Sequence, residues 1–298
     1  MDFVLTLIAG RQGPGLGDAT VASLAGALAT AGAQAGTPDW LAPAEACDLP
    51  FESLAPKTAE RIAHETLGGA ALDLAVQASG GRRKALLVAD LESTIIGQEM
   101  LDELAEAVGL RAAIAAVTAR AMAGELDFAE ALHARVAQLA GLPALALDDA
   151  AKRMTLNPGA AELVATMRAG GAVTALVSGG FTCFAEPIAE ACGFDHVLAN
   201  RLEIEGGRLT GRVAEPLLDR AAKLSALERL ARENAVGLEA SCAVGDGAND
   251  TAMLAAAGLG VAYRGKPPAR AAASARIDHG DLTALLFLQG YRRAEIQG

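Results

Sequence analysis

Histidine and aromatic residues are scarce in this 298-residue chain, with four His, one Trp, two Tyr and seven Phe. His64, His133, His196 and His279 are scattered, and Cys47, Cys183, Cys192 and Cys242 form neither a CxxC pair nor a group with a nearby histidine. That spacing excludes a zinc site and a disulfide framework, and the cysteines read as buried small hydrophobes. No apolar run approaches the length of about eighteen residues that a membrane helix needs. The opening MDFVLTLIAG lacks the basic start of a signal peptide and reads as a strand, so the cytoplasm is the expected compartment. Positive charge is short as well. Lys and Arg number 25 against 36 Asp and Glu, a net charge of −11, which excludes nucleic acid and an anionic membrane as main partners. Small anionic substrates held in a local basic pocket remain.

What is present is apolar and aliphatic. Hydrophobic residues make up 52% of the chain and charged ones 20%, enough for a sizeable core in one large domain with an appendage, or in two domains. Phe3–Ile8 and Leu72–Gln77 read as strands, and Asp18 reads as the N-cap of a helix carrying Val21, Leu24 and Leu28 on one face: a small α+β unit. Between them GTPDWLAPAEACDLPF is expected to be irregular surface chain, and Gly80-Gly81 marks a domain boundary. From Ala85 onward the apolar runs ALLVA, AVTALV, CAVG and GLGVA alternate with helical stretches, the pattern of a parallel α/β sheet. Helix formers fill Gln98–Gly171 between the first two runs, and LEIEGGRLTGRV predicts a hairpin about Gly206-Gly207.

Three of these strands run into chemically loaded residues. The first delivers DLEST from Asp90, the second SGGF from Ser178, and the third GDGAND with Asp246 and Asp250. Each motif alone is ordinary turn chemistry; their coincidence is not, because ligands of an open parallel sheet gather beyond the carboxyl ends of its strands. Two carboxylates at one strand end repel unless a cation lies between them. Asp90 and Asp246 together suit a hard divalent ion such as Mg²⁺. Ser178 with the backbone of Gly179 and Gly180 can donate to phosphate oxygens, and Lys223, on an expected helix, supplies a point charge.

This order of motifs resembles the haloacid dehalogenase superfamily of aspartyl-phosphate enzymes. Within it, DLESTIIGQEMLDELAE, TARAMAGELDFAEALHARVAQLAG, VSGGFTCFAEPIA, ANRLEIEGGRLTGRV and VGDGANDTAML are similar to the phosphoserine phosphatases, the last enzymes of phosphorylated serine biosynthesis, over about residues 82–290. The resemblance implies an α/β fold with a Rossmann-like core on a parallel sheet (81–298), a helical cap inserted at about 98–157, and an ACT-like α+β domain over 1–80.

It also implies roles. Asp90 is the expected nucleophile; the Asp90 carboxylate, the Glu92 carbonyl and the Asp246 carboxylate, supported by Asp250, are the expected Mg²⁺ ligands; Ser178, Gly179, Gly180 and Lys223 hold the phosphate. Glu99 would pair with a substrate ammonium and Arg135 with its carboxylate. Met122 and Phe128 match apolar cap positions and Asn249 a substrate-side position. Gly97 and Asn157-Pro158-Gly159 are the expected hinges of the cap. One residue departs from the family: two positions after the nucleophile, where the family has the aspartate that serves as general acid and base, stands Glu92. The carboxyl chemistry is kept, but the extra methylene moves it by roughly an ångström or more, so a working enzyme is expected, with hydrolysis of the aspartyl phosphate its vulnerable step. The implied reaction is Mg²⁺-dependent hydrolysis of O-phospho-L-serine. Its rivals are transfer of the phosphoryl group to homoserine and a turnover-impaired sensor of serine or phosphoserine. For the N-terminal region, amino-acid binding, support of a homodimer and simple coverage of the core all remain open.

Overall fold

The computed structural model describes residues 1–10, 13, 15–122 and 125–298, with the side chain of Met122 also outside the described set. Strands β1 (Phe3–Ala9), β2 (Gln34–Ala35), β3 (Asp39–Ala42), β4 (Ala46–Glu52) and β5 (Leu72–Ala78) form an antiparallel sheet in the order β2-β4-β1-β5, with β3 also on β4. Helices α1 (Asp18–Thr30) and α2 (Pro56–Leu67) cover one face, where Leu5, Leu7, Leu24, Leu28, Leu49, Phe51 and Ala59 form a common core.

Two expectations fail in this region. Asp18 is the first helical residue and Gly17 the N-cap, with no side-chain cap bond. The stretch taken as irregular surface holds β3 and β4, and β4 is a central strand whose Cys47, Leu49 and Phe51 alternate into the core. Proline argues against a central strand because it lacks a ladder donor. Here Pro50 falls where β4's outer partner changes from β2, which ends at Ala35 opposite Phe51, to β3, which begins at Asp39 opposite Asp48, and the Pro50 carbonyl still accepts Gly36 N–H at 2.8 Å. The position keeps its acceptor bond to the outer chain and lacks only the donor.

The second sheet is parallel. Strands β6 (Leu86–Ala89), β7 (Val173–Phe181), β8 (His196–Asn200), β11 (Ser241–Gly245), β12 (Leu259–Tyr263) and β13 (Ala275–Ile277) lie in the order β13-β12-β11-β6-β7-β8. Both faces are buried, by strict alternation: Leu87 and Ala89 pack to one side, Leu86 and Val88 to the other. The chain builds outward from β6 through β7 to β8, then returns to build β11, β12 and β13 on its other side. The β6/β11 seam is thus the point where strand order reverses, the place where such sheets bind ligands. Helices α7 (Ala160–Ala169), α8 (Thr182–Cys192) and α12 (Ala284–Leu288) cover one face, and α9 (Arg220–Glu233), α10 (Thr251–Ala256) and α11 (Pro267–Ala272) the other.

Four short helices, α3 (Met100–Ala107), α4 (Arg111–Met122), α5 (Phe128–Ala137) and α6 (Leu145–Ala151), stand over the carboxyl end of β6. The two chain crossings that connect them to the sheet lie side by side: Gly97 N–H donates to Thr155 O at 3.2 Å, Asn157 N–H to Ile95 O at 2.8 Å, and Asn157 Nδ2 to Thr94 O at 2.8 Å. The hairpin β9 (Leu202–Glu205) and β10 (Arg208–Val213) grips the α5–α6 loop through Gly141 N–H to Leu209 O and Leu209 N–H to Leu142 O.

The two sheets share the C-terminal segment. Arg82 donates to Asp48 Oδ2 at 2.5 Å and Thr6 Oγ1 at 3.0 Å on the antiparallel side, and to the carbonyls of Phe287 and Leu288 at 3.0 and 3.1 Å on the other. Asp73, on β5, accepts the backbone N–H groups of Asp278, His279 and Gly280 at 2.8, 3.1 and 2.7 Å. No helix among the described residues is long and apolar enough to cross a membrane.

Candidate active site

The carboxyl ends of β6 and β11 bring Asp90 and Asp246 together with Asp250, their carboxylate oxygens within 4.8 Å of one another. All three are buried. Asp90 follows Ala89 directly, so a strand held by ladders on both sides fixes its position. After it the chain makes a single wide turn, Leu91–Ile95, in which Ser93 takes a left-handed φ of 57°. That conformation costs a non-glycine residue of order 1 kcal/mol or more. It turns the chain back on itself so that Ser93 Oγ donates to Glu99 Oε1 at 2.8 Å.

Lys223 reaches this corner from α9, whose first turn is capped by Asp219 accepting Ala222 N–H at 2.9 Å. Its Nζ lies 2.5 Å from Asp90 Oδ1 and 2.6 Å from Asp250 Oδ1, and the side chain is 1% exposed. Burial works against the ammonium, but the two carboxylates outweigh it and hold the Lys223 pKa above its ordinary value. Asp250 also accepts the backbone N–H of Asp246 at 3.2 Å and of Gly247 at 3.0 Å, so it shapes the loop that presents Asp246. Only glycine fits at 245, since a Cβ there would run into the Asp250 carboxylate.

Three carboxylates face two ammoniums, Lys223 and the more exposed Lys266 on Asp246, which leaves one negative charge in excess. Burial first, then repulsion from Asp250 and Asp246, push Asp90 well above the usual carboxylate range against the pull of Lys223. A buried all-oxygen donor set with surplus negative charge fits a hard divalent cation; the arrangement passes that test on its own chemistry.

Above the corner lies a cavity of about 320 Å³ whose wall includes Glu92, Glu99, Arg135, Gly179, Gly180 and Lys266. Glu92 enters it half-buried, and Oε1 accepts Met100 N–H at the first turn of α3 at 2.8 Å. Burial and then the charge of Glu99 push its carboxyl up to about 7. Gly180 makes room for it: a Cβ there would stand 3.0 Å from Glu92 Oε2 and 3.1 Å from Ser178 Oγ. Ser178 Oγ is buried and accepts Gly180 N–H at 2.9 Å. Arg135, on α5, donates from Nε to Ala131 O at 3.2 Å, and among the described residues no carboxylate forms an ion pair with it. The Phe128 ring lies over Gly179, 3.7 Å from where a Cβ would stand. Asn249 is half-buried on the turn Ala248–Asp250, beside Gly247.

Asp90, Asp246, Asp250 and Lys223 thus meet at one point, and Glu92, Glu99, Arg135, Gly179 and Gly180 line one cavity over it. The side chain of Met122 lies outside the described residues. Sequence reasoning missed Lys266, whose Nζ lies 3.0 Å from Asp246 Oδ2. It sits between β12 and α11, in RGKPPAR, which carries no motif. The cysteines take no part. Burial pushes the thiols of Cys47, Cys183 and Cys242 up to about 12, though Cys183 is only half-buried.

A model of the haloacid dehalogenase-like hydrolase family matches residues 87–255. The chain is 46% identical over 228 residues to phosphoserine phosphatase SerB2 of Mycobacterium tuberculosis, covering 76% of this chain and 56% of that protein. It thus spans little more than half the length of that relative. With the phosphoserine phosphatase of Lactococcus lactis it shares 44% identity over 203 residues, 68% of this chain and 94% of the other. Its fold matches the crystal structure of a probable phosphoserine phosphatase from Vibrio cholerae with a TM-score of 0.79 at 31% identity, covering 99% of this chain and 88% of that one. On these matches the chain belongs to the haloacid dehalogenase-like hydrolases, within their phosphoserine phosphatase group.

Proposed function

We propose that this chain hydrolyses O-phospho-L-serine to serine and phosphate through an aspartyl phosphate on Asp90. The observation that carries the reading is the stacking of two sets of groups: Asp90 with Asp246, Asp250 and Lys223 below, and Glu99, Arg135 and Glu92 in a cavity directly above. Names of the relatives agree with it.

Asp90 Oδ attacks phosphorus in line while the bond from phosphorus to the seryl oxygen breaks. Glu92, whose carboxyl is held near neutrality by its surroundings, gives its proton to that oxygen and serine leaves. Glu92 then takes a proton from water, the water oxygen bonds to phosphorus, and the Asp90–phosphorus bond opens to release phosphate. Ser178 Oγ, the backbone of Gly179 and Gly180 at the end of β7, and Lys223 hold the phosphoryl oxygens; Glu99 and Arg135 orient the amino-acid end. Asp90, Asp246 and the Glu92 carbonyl, supported by Asp250, are the groups that would hold Mg²⁺, which when bound offsets the repulsion between two approaching anions.

The test is phosphate release from a panel of monoesters that includes both enantiomers of phosphoserine, with Mg²⁺ and with a chelator. Release from L-phosphoserine above the rest, abolished by chelation, is expected. A flat panel would overturn the substrate assignment, and release that appears only when homoserine is added would replace hydrolysis by transfer.

A further inference from the structure

Lys266 is the N-cap residue of α11, its backbone pinned by its N–H donating to Asp246 O at 2.7 Å and by Pro267 and Pro268 after it. Its side chain is 61% exposed and bridges two acids that belong to different parts of the site: Nζ is 3.0 Å from Asp246 Oδ2 and 3.8 Å from Glu99 Oε1. The first is a hydrogen-bonded pair and the second is an ion pair at longer range. Glu99 is the carboxylate assigned above to the substrate ammonium. An ammonium of the protein's own therefore already faces it.

We propose that Lys266 is a built-in counter-ion for Glu99, displaced when a substrate brings its own ammonium. The inference rests on the function proposed above and adds a determinant of selectivity to it. Without Lys266, Glu99 would be an uncompensated negative charge in a cavity that must admit a dianionic phosphate. With Lys266, Glu99 is neutralised even when the ester carries no ammonium, so the pocket tolerates such esters. An ammonium-bearing ester instead competes with Lys266 for Glu99. Lys266 thus lowers discrimination for the amino group.

Phosphoserine and 3-phosphoglycerate form the matched pair, differing by an ammonium in place of a hydroxyl. In Lys266→Met the ratio of kcat/KM for phosphoserine over 3-phosphoglycerate should rise about fivefold, the scale of one partly exposed ion pair, and Lys266→Arg should restore the parent ratio. General attraction for anions would also act on the more negative ester, so the Lys266→Met change is repeated in a Glu99→Gln background, where the rise should vanish. An unchanged ratio in Lys266→Met, or the same rise with and without Glu99, overturns the proposal. A parent inert toward phosphoserine would count against the proposed function instead, and the ratio is then read from calorimetric binding of the two esters to the same proteins. Equal melting temperatures of parent and Lys266→Met exclude a purely structural origin.

Discussion

Glu92 accepts the backbone N–H of Met100 at 2.8 Å, so the general acid–base candidate also caps the first turn of the helix that roofs the cavity. The longer side chain reaches α3, and the bare Gly180 leaves space beside its other oxygen. Glu92→Gln should keep the hydrogen bond from Met100 and lose proton transfer, reducing turnover by about 10²–10⁴ with phosphoenzyme accumulating. Glu92→Asp should keep the chemistry and give up that hydrogen bond, holding turnover within about tenfold of the parent. Quench-flow with labelled substrate reads both. Full turnover by Glu92→Gln would remove Glu92 from the mechanism.

Gly180 provides a steric test of the same contact. Gly180→Ala requires no unusual backbone angle, yet puts a methyl group 3.0 Å from Glu92 Oε2. Turnover should fall roughly 10–100-fold by misplacing that carboxyl, with the melting temperature little changed. Steady-state kinetics and a thermal melt on one preparation check it.

Removal of Lys223 leaves Asp90 and Asp250 buried without their ammonium. Lys223→Met should lower stability by about 3–5 kcal/mol, as measured by urea unfolding. Added Mg²⁺ should recover part of the loss if the carboxylates take up the cation, and recovery should be absent in a Lys223→Met, Asp246→Asn double variant.

Asp195 gives a pH signature away from the cavity. Burial alone would raise its pKa, but the N–H and hydroxyl of Thr174 at 2.9 Å each, with Arg168, hold it below the ordinary carboxylate value. A depressed folded pKa contributes stability above the unfolded value of about 3.9 and loses it as pH falls through the folded one. Asp195→Asn should therefore melt below the parent near pH 6, and the gap should narrow toward pH 3. A gap that widens on acidification would contradict the assignment.

The parallel sheet and the residues at its strand ends were legible because both leave a local mark: continuous apolar runs ending in Asp or Ser. The hairpin was legible for the same reason, with Gly206-Gly207 between alternating strands. What escaped depends on partners distant in sequence. β4 reads as loop because the change of outer partner at Pro50 exists only once β2 and β3 have paired. β13 has three residues, Ala275–Ile277, too few to show a period. Lys266 acquires meaning only from Asp246 and Glu99, one at the end of the neighbouring strand β11 and the other 167 positions earlier in the chain. The longer reach of Glu92 was visible, but Met100 N–H as its destination was not.

Residues 278–288 serve two masters, since Asp73 secures their peptide N–H groups and Arg82 their carbonyls while reaching across to Asp48. A shortened chain beginning after residue 80 would retain the guanidinium but strip it of its acid, and would bare three donors at the margin of the parallel sheet. Excision of the N-terminal unit is thus an electrostatic lesion rather than a neutral trimming. Grafting that unit onto another scaffold would have to carry this C-terminal strip along with it.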